Sequence, residues 1–172
     1  MTHEPQGPWL TLLLRHLPPG SALGWDDLLV GHDFGFVAPA EIQAWVAAQA
    51  LPGEACQALA GLAGEGLVRF ERALWDAVTE ATGKTPRPGG RRWERAQDRW
   101  RVALLKDALA APVSAEALGV LVAAIYESVG CPEDMLGLWG RSTGPARPQG
   151  DSDRAKIQAF IQRRELDTVG GF

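Results

Sequence analysis

The residues best suited to chemistry form a short acidic cluster near the N-terminus. Asp26, Asp27, His32 and Asp33 fall within eight residues, and nowhere else does a histidine lie this close to several carboxylates. Such a set is typical of a metal site or a general base, but ligands on one helix sit at i, i+3 or i+4, and Gly31 is expected to end the helix between them. We therefore predict that these side chains serve as helix caps and turn residues.

A second candidate is a basic stripe in the middle of the chain. Between positions 84 and 106 only Glu94 and Asp98 offset eight basic residues, for a net charge of +6: Lys84, Arg87, Arg91, Arg92, Arg95, Arg99, Arg101 and Lys106. Beside Trp93 and Trp100, such a stripe is suited to contact phosphate groups. However, both carboxylates lie three residues from arginines with which they can pair, and the whole chain is acidic, with a pI near 5.4. The alternative is a solvated face, or a face docked on the acidic first half.

The formal charge of −4 is distributed unevenly along the chain. Residues 1–82 carry three basic and ten acidic side chains, a net of −7, whereas residues 83–172 carry fourteen and eleven, a net of +3. This asymmetry indicates either a face that attracts a basic partner or two halves that attract each other in the fold. Attraction between the halves is the simpler explanation.

Composition and motifs exclude several classes of protein. A chain of 172 residues that is 46% hydrophobic and 22% charged is suited to one globular domain. The sequence shows neither a signal peptide nor a membrane span, so we expect a cytoplasmic location with reduced thiols, and buried positions for Cys56 and Cys131. It contains no motif typical of metal binding, phosphate binding or a catalytic nucleophile, so we expect no enzymatic activity, metal or cofactor.

Helical periodicity runs from end to end and predicts an all-α fold, an irregular multi-helix bundle of about seven to nine helices in a single domain over residues 1–172. We divide this domain into an acidic half (1–83), a loop (84–90), a basic half (91–167) and a tail (168–172). A second loop is predicted at 140–150 because it is rich in glycine and proline. The expected helices cover 8–17, 24–31, 39–51, 54–62, 65–83, 91–110, 114–130, a short segment from 131, and 151–167.

The helix over 91–110 and the apolar helix that follows it are predicted to form the core. Five of the seven tryptophans occupy apolar helical positions and are expected to pack inside: Trp45, Trp75, Trp93, Trp100 and Trp139. Trp9 and Trp25 stand beside polar residues near helix starts. We expect these two indoles to be partly exposed.

Three short stretches, in order along the chain, carry a resemblance to a known family. They are Trp25-x-Asp27-Leu28-x-x-Gly31 followed by Gly35-Phe36-Val37, then Trp100-Arg-Val-Ala-Leu-Leu, then Ile125-Tyr126-Glu127-x-x-x-Cys131-Pro132-Glu133 with Trp139 a turn later. In these the chain resembles the small bacterial proteins catalogued as domain of unknown function 2247. The resemblance implies an all-helical fold. The family has no established activity, cofactor or catalytic residue, so the resemblance implies none for this chain. Family members are similar in size and style to immunity proteins, which neutralise bacterial toxins by binding them.

Three functional hypotheses follow. The first is a non-enzymatic protein-binding module, in its sharpest form an immunity-type inhibitor of a basic bacterial toxin, which binds through an acidic face: Trp25, Asp26, Asp27, Asp33 and Glu41. The alternative is a nucleic-acid or anionic-ligand binder that uses the 91–101 helix face: Arg91, Arg92, Arg95 and Arg99. An enzyme of unfamiliar type would need a polar pocket around His32 or His16. We expect no membrane partner.

Overall fold

The structure, a computed structural model, describes residues 7–64, 66–140 and 149–169, and in the last helix it describes the side chains of 153–167. These residues form eight α-helices and one 3₁₀ helix with no strand among them, which confirms the predicted all-α bundle. The predicted loop at 140–150 and tail at 168–172 lie largely outside the described residues. In chain order the elements are α1 (Pro8–His16), α2 (Trp25–Asp33), α3 (Pro39–Gln49), α4 (Glu54–Gly61), α5 (Leu67–Thr82), α6 (Arg91–Ala110), α7 (Ala115–Ser128), the 3₁₀ helix (Glu133–Met135) and α8 (Gln149–Val169).

Helix α6 lies at the centre of the bundle. Helices α1, α2, α7 and α8 pack against it, while α3, α4 and α5 form a second group that reaches α2 through α5. The buried residues of α6, among them Trp100 and Leu105, belong to one apolar cluster that extends from Leu10 in α1 to Ile161 in α8. The central position follows from the sequence, because apolar residues occupy most of the circumference of α6 beyond Arg101.

Gly31 lies inside α2 and does not end it, contrary to the prediction. The helix continues to Asp33, and the chain turns at Gly35, which adopts a positive φ of 76°. A Cβ atom at Gly31 would lie 2.5 Å from Cζ2 of Trp100 and 2.7 Å from Cγ2 of Val37. The glycine is therefore needed for close packing of α2 on α6.

A glycine immediately before each of two helices leaves room for a carboxylate from another helix. These are Gly7 before α1 and Gly53 before α4. At the start of α1, the amide of Gly7 donates to Oε1 of Glu41 in α3 at 2.6 Å. At the start of α4, the amides of Ala55 and Cys56 donate to Oε2 of Glu80 in α5 at 3.0 and 3.2 Å. These contacts satisfy amides that a helix start leaves without intrahelical partners, and they lower the pKa of Glu80.

Two predictions about single side chains are wrong. Trp25 is buried, because its indole packs edge-on against that of Trp45 with ring centroids 5.2 Å apart. Cys131 is exposed, because it lies in the turn after α7, where its backbone amide bonds back to the carbonyl of Tyr126. Cys56 is buried as predicted.

The loop predicted over 84–90 connects α5 to α6 and is mostly exposed, although Pro86 within it is buried. Its first residue is fixed to the next helix, since the Lys84 carbonyl accepts a hydrogen bond of 2.7 Å from Arg92. Within the ranges that the structure describes, every helix is too short or too polar to cross a membrane.

Candidate functional site

The predicted acidic site on α2 and the predicted arginine site on α6 face each other. Arg92 forms a two-pronged ion pair with Asp26, in which Nε donates to Oδ2 at 2.8 Å and Nη2 donates to Oδ1 at 2.5 Å. The same guanidinium donates to the hydroxyl of Thr82 at 3.0 Å. This fork geometry is the strong form of an arginine–carboxylate pair, and it raises the pKa of Arg92.

A second pair lies deeper between the same two helices. Oδ2 of Asp27 accepts hydrogen bonds from Nη1 of Arg99 at 2.6 Å and from the amide of Gly24 at 2.9 Å. The Asp27 side chain is only 1% exposed, and this burial raises the pKa of its carboxyl although Arg99 opposes the shift. The pair therefore joins α2 to α6 inside the fold.

These contacts correct the expectation of an open acidic face. The carboxylates of Asp26 and Asp27 are paired with Arg92 and Arg99 within the fold; Asp27 is fully buried, and Asp26 is 27% exposed. Trp25 is buried, and Glu41 is used at two helix starts, where it accepts from the amides of Gly7 and Ala38. The simpler explanation of the charge asymmetry, attraction between the two halves, accounts for both ion pairs.

Asp33 alone among the five predicted acidic-face residues is exposed. Partial burial still raises the pKa of its carboxyl. The basic set divides in the same way: Arg91 and Arg95 are exposed and form no ion pair within the described residues, whereas Arg92 and Arg99 point inward. The structure thus does not gather either predicted set into one accessible site.

The two histidines considered for catalysis have different surroundings. His32 is mostly buried against the Phe70 ring; its Nδ1 lies 3.0 Å from the Val37 carbonyl and its Nε2 lies 3.9 Å from Glu71. In the described part of the chain, no three histidine, cysteine, aspartate or glutamate side chains converge as metal ligands. His32 is therefore placed to support the α2–α5 contact.

His16 borders a shallow depression where the end of α1 meets α6 and α8, lined also by Asp98, Arg99 and Glu165. Nε2 of His16 is buried without a hydrogen-bond partner among the described residues. Burial, reinforced by the nearby Lys106, lowers the pKa of this imidazole. This depression is open to solvent and has room for about one or two water molecules beside the imidazole.

A charged cluster, buried at Asp98 and Arg101 and exposed at Asp134, joins α8 to the centre of the bundle. Arg101 donates to Asp98 on its own helix and, at 2.6 Å, to Asp134 in the 3₁₀ helix. Arg164 of α8 lies 2.7 Å from the same Asp134, and both guanidinium groups lie 5.4 Å from the ring centre of Phe160. Arg101 is therefore a structural residue of the basic stripe.

The outer face of α7 is a site that the sequence reasoning missed. Helix α7 buries Leu118 and Val122 but leaves Val120 65% and Leu121 38% exposed. The prediction that α7 is a core helix holds only for the face that carries Leu118 and Val122. The signal in the sequence was the spacing of Glu116 and Glu127, which places both carboxylates on one side of the helix together with Val120 and Ala124.

No protein-family model, curated protein or solved structure matches the chain. The resemblance to domain of unknown function 2247 stays a prediction.

Proposed function

We propose that the chain is a non-catalytic protein-binding module that receives a protein partner on the outer face of α7. The observation that carries this proposal is the exposure of Val120 and Leu121 on a helix whose other face is packed into the bundle. Exposed apolar side chains at neighbouring positions of a helix favour association with another protein, because docking removes them from water.

An immunity-type inhibitor of a basic toxin is the specific form of this proposal. The chain has a formal charge of −4, and an acidic protein attracts a basic partner at long range. With Asp26 and Asp27 paired internally, α7 replaces the predicted acidic face as the contact surface. The resemblance to small bacterial proteins supports the same class of function.

Site-specific photo-crosslinking in cells of the native host tests the proposal. A benzophenone side chain at Val120 should link the protein to one partner, whereas the same group at Val68, which is 79% exposed on α5, should not. Adding Leu121→Asp should abolish the link from position 120, because a carboxylate would be desolvated in the contact. Equal links from both positions, or a link that survives Leu121→Asp, would contradict the proposal.

The second candidate function is binding of nucleic acid or another anion through α6. It is favoured by the exposure of Arg91 and Arg95 one helical turn apart, without an ion pair in the described part of the chain. Arg91→Glu with Arg95→Glu should abolish a salt-dependent gel shift with DNA or RNA. The matched control, Arg69→Glu with Arg72→Glu on α5, should leave that shift unchanged. Absence of a shift for the unmodified protein at low salt would exclude this function.

A further inference from the structure

The exposed face of α7 has a simple arrangement of apolar and charged groups. Glu116, Val120, Ala124 and Glu127 share one side of the helix, with the two apolar residues between the two carboxylates. The two carboxylates are eleven positions apart, about 16 Å along the helix axis. They are the only formally charged side chains of the helix at neutral pH, so α7 presents an apolar stripe with a negative charge at each end.

Gly119 of α7 is not needed for packing inside the chain. A Cβ atom built there would meet no atom within 4 Å, so nothing inside the chain requires a glycine. Glycine in a helix interior costs about 1 kcal/mol relative to alanine. Gly119 lies at the flank of the stripe, one turn from Glu116, where it leaves the side of the helix without a side chain.

The α7 helix of a second copy does not fit this face. When α7 pairs with another α7 along the stripe, in either direction, carboxylates meet carboxylates, because the helix carries no basic residue. Like charges opposed at a contact disfavour association. The complementary surface is one whose apolar stripe ends in cations.

We infer that α7 receives an amphipathic helix of a different protein, whose apolar stripe carries a lysine or arginine at each end, about three turns apart. This inference rests on the proposed function and specifies the chemistry of its partner. The two cations would lie opposite Glu116 and Glu127, and the apolar stripe between them would cover Val120 and Ala124. Pairs at the rim fix the register of the two helices more than they add to affinity.

Stapled helical peptides titrated into the isotope-labelled full-length protein test the inference. The first peptide has an alanine and leucine stripe with lysines eleven residues apart, and the second has glutamates at those two positions. Amide spectra detect weak contacts, and glycine amides such as Gly119 and Gly61 are well separated reporters. The lysine peptide should shift Gly119 and Val120 but not Gly61, which lies on α4, and the glutamate peptide should bind roughly tenfold more weakly.

Reversing the two charges on the protein complements the change of charge on the peptides. Glu116→Lys with Glu127→Lys should exchange the preference, so that the glutamate peptide becomes the tighter ligand, and about 0.5 M salt should reduce both preferences. Unchanged amide shifts outside α7 serve as the control for folding. Equal binding of the two peptides, shifts centred away from α7, or self-association of the unmodified protein through α7 would overturn the inference.

The two proposals fail in different ways. In one outcome, crosslinking from position 120 captures a partner and Leu121→Asp abolishes that crosslink, but charge reversal at Glu116 and Glu127 changes neither the crosslink nor the binding of either peptide. Only the inference of a cationic partner helix then fails. If position 120 captures no protein while the lysine peptide still binds selectively, the face has the inferred chemistry but the proposed function fails.

Discussion

The indole Nε1 of Trp100 donates a hydrogen bond of 2.9 Å to the main-chain carbonyl of Asp27, the residue whose carboxylate is held by Arg99 one position earlier on α6. One residue of α2 is thus bound through its backbone and its side chain to consecutive residues of α6. The contact combines an apolar ring, a neutral hydrogen bond and an ion pair. It is the most direct connection between the acidic and basic halves.

Replacing Trp100 by alanine should lower the free energy of unfolding by about 3–5 kcal/mol, because the indole is fully buried at the centre of the bundle. Urea denaturation followed by circular dichroism measures the change. Val68→Ala, at an exposed position on α5, is the control and should shift stability by no more than about 0.5 kcal/mol. A loss below about 1 kcal/mol for Trp100→Ala would contradict the central position of α6.

Two helical glycines should respond oppositely to alanine. Gly31→Ala should destabilise the protein by about 1–3 kcal/mol, because the new methyl group would overlap the Trp100 ring. Gly119→Ala should stabilise it by about 1 kcal/mol, since the space there is open and alanine favours a helix. Thermal unfolding of the two variants in parallel gives the comparison. A stabilising Gly31→Ala would show that α2 and α6 do not approach as closely as described.

Removing Arg99 should cost more stability than removing Arg92. Arg99→Gln leaves the carboxylate of Asp27 buried without its cation, a loss of about 3 kcal/mol at neutral pH. Arg92→Gln leaves Asp26 partly exposed to water, so its cost should be about 1 kcal/mol. Denaturant midpoints at neutral pH rank the two variants, and equal losses would contradict the difference in burial between the two pairs.

The pH dependence of the Arg99→Gln defect follows from the pKa of Asp27. Burial raises this pKa and Arg99 opposes the rise, so loss of Arg99 raises the pKa further. Above that raised pKa the folded state holds a buried charge, which lowers stability. As the pH falls through it towards the ordinary value of 3.8, the folded state binds the proton first and regains stability. The loss of stability in Arg99→Gln, measured against the unmodified protein at the same pH, should therefore shrink on acidification from pH 7 towards pH 4. A defect that grows on acidification would mean that the carboxylate is solvated.

His16 should make stability depend on pH in the opposite direction. Burial and the nearby cations Lys106 and Arg15 lower its pKa below 6.5, although Asp107 opposes them. The unfolded chain then binds the proton first as the pH falls below 6.5, so stability is lost between that value and the lowered pKa of the folded state. His16→Gln should flatten this part of the profile in urea titrations. An unchanged slope would contradict the burial of the imidazole.

Local sequence signals were sufficient for most of the helices. Prolines at helix starts placed the beginnings of α1 and α3 at Pro8 and Pro39, and the apolar period of α6 gave both of its ends, Arg91 and Ala110. The error at Gly31 arose because a glycine that ends a helix and a glycine that admits an indole look alike in sequence. Only the three-dimensional neighbour, Trp100, distinguishes the two cases.

The surface was less predictable than the helices, because pairing across the fold decides which charges remain available. Asp26 and Asp33 are both acidic residues of α2, but the first lies opposite Arg92 and the second faces water. Helical spacing within α2 does not contain this information. In α7 the spacing of Glu116 and Glu127 marked the exposed face. The high apolar content of the helix nevertheless favoured the prediction of a core helix.

The carboxylates at the helix starts have a consequence for the order of folding. Helix α4 begins at amides whose acceptor, Glu80, lies near the end of α5, and α1 begins at an amide whose acceptor, Glu41, belongs to α3. Neither first turn acquires its partner until two helices have docked, so we expect both turns to form late along the folding pathway. Disruption of these contacts should then speed unfolding while leaving the refolding rate nearly unchanged.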